Sequence, residues 1–102
     1  MAEVRVIAKF VARKGKENQV RELLRGMLAP THAESGCELY ELYESDSKGR
    51  FYFYEKWESQ AALDRHAASP HFKRLEQAVR ELLQEPFEVN ILEKVQTGAA
   101  AA

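Results

Sequence analysis

Residues 50–58, RFYFYEKWE, constrain the fold more than any other stretch of this chain. Read with a period of two, they place Phe51, Phe53, Glu55 and Trp57 on one face of a strand and Tyr52, Tyr54, Lys56 and Glu58 on the other. The first face is the more continuously aromatic, so it belongs beneath helices. The rest of the chain must therefore supply both further strands and helices with an apolar side.

It supplies both. Val4, Val6, Ala8 and Phe10 alternate with Arg5, Ile7, Lys9 and Val11, which predicts a strand, and Lys14-Gly15-Lys16 turns the chain. From Glu17, the residues Val20, Leu23, Leu24, Met27 and Leu28 recur at helical spacing, with a charged face through Arg25 that reads as solvated. Pro30 ends or kinks this helix near Leu28, and THAESG adds a further turn before Gly36 stops it. A second strand over Cys37–Glu44 has blurred alternation, which predicts cover on both faces. SDSKG is a hairpin turn into the aromatic strand. Ser59 caps a short helix through Ala67 with Ala62, Leu63 and His66 inward. Ser69-Pro70 restarts a helix whose apolar side carries Phe72, Leu75, Val79, Leu82 and Leu83. Pro86 ends it, and a last strand spans Phe87 to Val95, with Phe87, Val89 and Ile91 on one side.

The order β-α-β-β-α-β predicts an α+β, ferredoxin-like fold: an antiparallel sheet with helices on one face. The other face would carry Ile7, Val11, Tyr52, Tyr54 and Leu92. That is too apolar for water, so a homodimer packed sheet to sheet is expected. A length of 102 residues fits one domain over 1–96, with 97–102 as a disordered tail.

Fifteen basic residues oppose sixteen acidic ones, for a net charge of −1, which argues against nucleic-acid and anionic-membrane partners. Cys37 is the single cysteine, so no internal disulfide forms, and a cytoplasmic setting is expected. No secretory leader is read at the start, and no run approaches the ~18 apolar residues of a membrane span.

Glu55 lies between Phe53 and Trp57 on the helix-covered face. A buried carboxyl needs a partner or a proton. Two readings follow. In one, His66 meets it, with His71 close by; in the other, Glu55 pins the helix junction by accepting hydrogen bonds from backbone amides near Ser69–His71, and the two are compatible. His66 and His71 are five residues apart across Ser69-Pro70 rather than at i, i+4, and Cys37 is isolated, so spacing reveals no metal site. His32 reads as a surface side chain. Trp57, Phe51 and Phe53 read equally well as core. There is no GxGxxG, no phosphate-cradling loop and no GxSxG.

The segments VIAKF-VARKGKE, PTHAESGCELYELYES, RFYFYEKWESQAALDRH and SPHF together resemble the antibiotic biosynthesis monooxygenase family, above all its small quinol monooxygenase-like members. The likeness covers residues 4–95. Its most specific part is Glu55-Lys56-Trp57-Glu58-Ser59, followed by His66 and Pro70-His71-Phe72. It implies a dimeric α+β barrel of two ferredoxin-like subunits, each with a pocket between helices and sheet. It also implies oxidation of a small hydroquinone or phenol by molecular oxygen with no bound cofactor. Haem-degrading relatives carry an asparagine in the first strand, where this chain has Ala8 and its neighbours. Polyketide-oxidising relatives place an asparagine and a tyrosine near the family tryptophan, and here only Trp57 matches. The implied site has His66 or His71 as base, Glu55 orienting it, Trp57 as an apolar floor, and Phe51, Phe53, Leu63 and Phe72 as pocket wall. Two alternatives stand beside this: a dimeric cup that binds a small molecule without chemistry, and an isomerase or degradation enzyme for a small signalling metabolite.

Overall fold

The computed structural model describes residues 3–95; the expected tail at 97–102 lies outside them. Strands β1 (Val4–Val11), β2 (Cys37–Glu44), β3 (Arg50–Trp57) and β4 (Glu88–Leu92) form one antiparallel sheet in the order β2-β3-β1-β4. Helices α1 (Glu17–Arg25), α2 (Leu28–His32), α3 (Gln60–Ala67) and α4 (Pro70–Val79) connect them, and a 3-10 turn over Arg80–Leu82 extends α4. This is the ferredoxin-like arrangement. No helix among the described residues is long and apolar enough to cross a membrane.

The aromatic strand decides the layering. Phe51, Phe53, Glu55 and Trp57 are all buried, while Tyr52, Tyr54 and Lys56 are half-buried on the opposite side. Register pairs Val6 with Glu55 and Ala8 with Phe53, so β1 contributes Val6, Ala8 and Phe10 to the same core. Tyr40 stacks on Phe53 with ring centroids 4.5 Å apart, and Phe10 stacks on Phe87 at 4.8 Å. Offset aromatic pairs of this kind contribute about 1 kcal/mol each beyond the area they bury.

Several details depart from the sequence reading. The break in the first helix falls at Gly26-Met27, and Pro30 sits in the first turn of α2, where its missing N–H breaks no helical bond. The blurred alternation of β2 comes from a register shift between Cys37 and Leu39. The extra residue there turns Cys37 and Tyr40 toward the core, so a bulge replaces the expected two-sided cover of what is an edge strand. Val11 was expected on the open face but is buried, because the chain after α4 crosses the end of β1. Gln84 donates its N–H to the Val11 carbonyl, and Ala12 pairs with Leu83. The helical stripe accordingly stops short of Leu83, which is extended. The last strand spans only Glu88–Leu92.

The charged face of α1 is also more than a solvated surface. Arg21 donates from Nε and Nη2 to the two carboxyl oxygens of Glu44 at 2.8 and 2.7 Å, and the Gly49 N–H donates to the same carboxylate at 3.0 Å. The Arg21 guanidinium and the Gly49 amide hold the Glu44 carboxyl down at about 2. This fork fastens α1 to the β2–β3 hairpin.

Candidate active site

Between α3, α4 and the inner face of β1, β3 and β4 lies a chamber of about 330 Å³. Phe53, Leu63 and Phe72, expected in its wall, are there, and so are Glu55 and His66. Phe51 and Trp57 are fully buried but lie outside the lining, as does His71. Val89 and Ile91 of β4 form an open side; both remain about half exposed, at 49% and 55%.

Local sequence explains how the helices reach this place. Ser59 Oγ accepts the Ala62 N–H at 3.1 Å and starts α3, whose inward residues are Ala62, Leu63 and His66, as the spacing predicts. Ser69 Oγ accepts the Phe72 N–H at 3.2 Å, and Pro70 occupies the first turn of α4. The same hydroxyl donates to the His66 carbonyl at 2.7 Å, locking the junction between the two helices.

Both sequence readings of Glu55 are overturned. Its Oε1 accepts the Trp57 indole N–H at 2.9 Å, while the Ser69 N–H goes to the His66 carbonyl and the Phe72 N–H to Ser69 Oγ. Burial pushes the Glu55 carboxyl up to about 7, against the opposing effect of the Trp57 bond, and the Glu34 charge adds to the rise. Its second oxygen has no protein partner among the described residues. The residue itself lines the chamber.

His66 is held by Glu34 instead. Its Nδ1 lies 2.7 Å from Glu34 Oε2, and His71 Nε2 lies 2.7 Å from the same oxygen. A carboxylate only accepts, so both imidazoles donate to it. That assigns the His66 proton to Nδ1 and leaves Nε2, which has no protein partner among the described residues, with a lone pair on a ring that lines the chamber. Burial lowers the His66 pKa against the opposing pull of Glu34, which favours the neutral ring. The ring is packed between Trp57, at 4.7 Å, and Phe72, at 5.2 Å. Trp57 thus serves as the buried link: it bonds to Glu55 and packs, tilted by 34°, against His66.

Glu34 is the residue sequence reasoning missed. It precedes Gly36, whose φ of +88° is the left-handed region where a side chain is strained. A Cβ on Gly36 would also stand 2.7 Å from the Ala62 Cβ. This glycine lets the chain pass against α3 and deliver Glu34 to the histidines. His32, read as a surface residue, is exposed, yet its Nε2 donates to the Tyr40 carbonyl at 2.8 Å.

An antiparallel sheet with helices lifted off one face to leave a lined chamber is the build of a ferredoxin-like α+β small-molecule protein. The chain belongs to the antibiotic biosynthesis monooxygenase family, whose model matches residues 3–78. It is 40% identical to the Mycobacterium tuberculosis protein named "Putative monooxygenase Rv0793" over 97 residues, 95% of this chain and 96% of that one. The solved Rv0793 structure superposes with a TM-score of 0.88 at 39% identity, covering 96% of this chain and 100% of that one. PA3566 of Pseudomonas aeruginosa superposes at 0.86 with 31% identity, covering 94% and 97%. Family and relatives support a monooxygenase-like role in general terms.

Proposed function

We propose that this protein is a cofactor-independent monooxygenase that oxidises a small hydroquinone or related phenol with molecular oxygen. The observation that carries the reading is His66 in the chamber wall with Nδ1 held by Glu34, which leaves Nε2 as the nitrogen able to accept a proton. A phenol with a pKa near ~10 is almost wholly protonated at neutral pH and gives electrons to oxygen poorly. His66 accepts its proton, and the Glu34 carboxylate stabilises the imidazolium that results. The phenolate then passes an electron to oxygen, and a carbon–oxygen bond forms on the ring. Overall, hydroquinone plus oxygen gives hydroxyquinone plus water. Glu55, in its protonated form, donates a hydrogen bond to the substrate's second oxygen. His71 holds Glu34 and acts through it. A volume of about 330 Å³ is at the small end of the ~300–1,000 Å³ range of ligand pockets and suits one or two rings.

The test is oxygen uptake on a panel of hydroquinones and naphthols. His66→Ala should lower turnover by roughly 10²–10⁴-fold, the usual contribution of a general base, while leaving substrate binding measurable. Full turnover in His66→Ala, or binding across the panel with no oxygen consumed by the wild type, overturns the proposal.

The working form is a homodimer. The sheet face away from the helices presents half-buried Ile7, Tyr52 and Tyr54 beside Leu92 at 39% exposure and Tyr43 at 54%. A second copy packed on this face would remove it from water. Light scattering coupled to size exclusion should return twice the 11.7 kDa chain mass, and a monomer at micromolar concentration refutes it.

A further inference from the structure

We propose that Glu34, His66 and His71 form a binding site for a divalent first-row transition metal such as Zn²⁺ or Co²⁺. One carboxylate oxygen and two imidazole nitrogens, from three different elements, lie within 4.8 Å of one another. Two histidines and one carboxylate are a standard three-ligand set for such metals and leave a position for water. The atoms offered are Glu34 Oε2, His66 Nδ1 and His71 Nε2. The two contacts of 2.7 Å are hydrogen bonds; around a tetrahedral ion with bonds of ~2.1 Å the same atoms would stand about 3.4 Å apart. Those two contacts must open by less than an ångström, and the two imidazole nitrogens, which lie within 4.8 Å of each other, must settle at the same spacing.

The surroundings permit this. The His66 side chain is 4% exposed, but those of Glu34 and His71 are 14% and 15% exposed, so the cluster has a wet side. His71 also lines a groove between α1, α2 and α4, flanked by Glu22 and Arg74, which offers an entry path distinct from the chamber. Each imidazole must present a lone pair to the ion, so the single proton of each neutral ring moves to its other nitrogen. For His66 that nitrogen is Nε2. The metal therefore turns His66 Nε2 from an acceptor into a donor, and a metal-loaded chain cannot use His66 as a base. This consequence rests on the reading under Proposed function; the binding itself does not.

The experiment is a titration of chelator-treated wild-type protein with Co²⁺, followed by visible d–d absorption and by calorimetry, then displacement with Zn²⁺. One Co²⁺ per chain in a low-symmetry site without a thiolate charge-transfer band is the expected result. Glu34→Gln and His71→Ala, checked for folding by circular dichroism, should each weaken binding at least as much as the roughly 10–100-fold that loss of an outer-sphere partner costs. No saturable one-to-one binding in the wild type overturns the proposal, whatever the variants do. Undiminished binding in both folded variants, or a thiolate band marking Cys37 as the ligand, overturns it too. Oxygen uptake, measured on the same samples, separates the two readings. Zn²⁺ that binds and stops turnover supports both, whereas Zn²⁺ that binds without slowing turnover keeps the metal site and removes His66 as the base.

Discussion

Replacing Glu55 by glutamine tests the electrostatics of the chamber without any substrate. Glutamine keeps the side-chain length and an oxygen for the Trp57 N–H, but it does not titrate. In the wild type, burial raises the Glu55 carboxyl from 4.5 to about 7. A raised folded-state value means that the folded chain holds the proton more tightly than the unfolded chain. The stabilisation is complete below 4.5 and is lost as the pH rises through about 7. At 1.36 kcal/mol per pKa unit, linkage predicts that the wild type loses roughly 2.5 kcal/mol relative to Glu55→Gln between about pH 5 and about pH 8. Taking the difference between two proteins cancels every other titrating group. Urea unfolding of both at the two pH values, followed by the fluorescence of the single tryptophan, Trp57, measures it. The expected outcome is a variant that gains on the wild type as the solution becomes alkaline. Stability curves that stay parallel within a few tenths of a kcal/mol refute the claim that Glu55 is a desolvated carboxyl.

Gly36→Ala forces a side chain into left-handed backbone and into the Ala62 methyl, so it should cost about 2–4 kcal/mol in urea unfolding; a neutral substitution would show that the chain does not need this close passage. Ser69→Ala removes the α4 cap and the bond to the His66 carbonyl, and should lower stability by about 1 kcal/mol, read as a fall in melting temperature. Burial first, then the Glu34 and Glu55 charges, pushes the Cys37 thiol up to about 11. The native protein should therefore react with thiol–disulfide reagents far more slowly at neutral pH than the urea-unfolded chain, and equal rates would contradict this.

Strands and helices were legible in the sequence because their signals are local. The period-two run through Trp57, the heptad-like stripe of α1 and the Ser59 and Ser69-Pro70 starts each follow from neighbours within four residues. The inward set of Phe53, Glu55, Leu63, His66 and Phe72 followed from the same periodicities, as did burial of the carboxyl. What local pattern could not reach was partnership. Glu34 stands 32 residues from His66 and 37 from His71 in the chain, and no spacing rule joins them. The available signal was Gly36 after Glu34, which marks a turn but not what the turn approaches. The β2 bulge and the crossing at Val11 were equally hidden, since both depend on how separate segments meet.

The sequence by itself determined an antiparallel sheet with helices over its aromatic face and an acid and an imidazole turned inward, because side-chain direction repeats with the period of the backbone. Only the tertiary structure decided that Glu34 takes both histidines, that Glu55 turns to Trp57, and that His66 lines the chamber with its Nδ1 already engaged. Hydrogen bonds between distant segments depend on sub-ångström placement, and packing fixes that only once the whole core has closed.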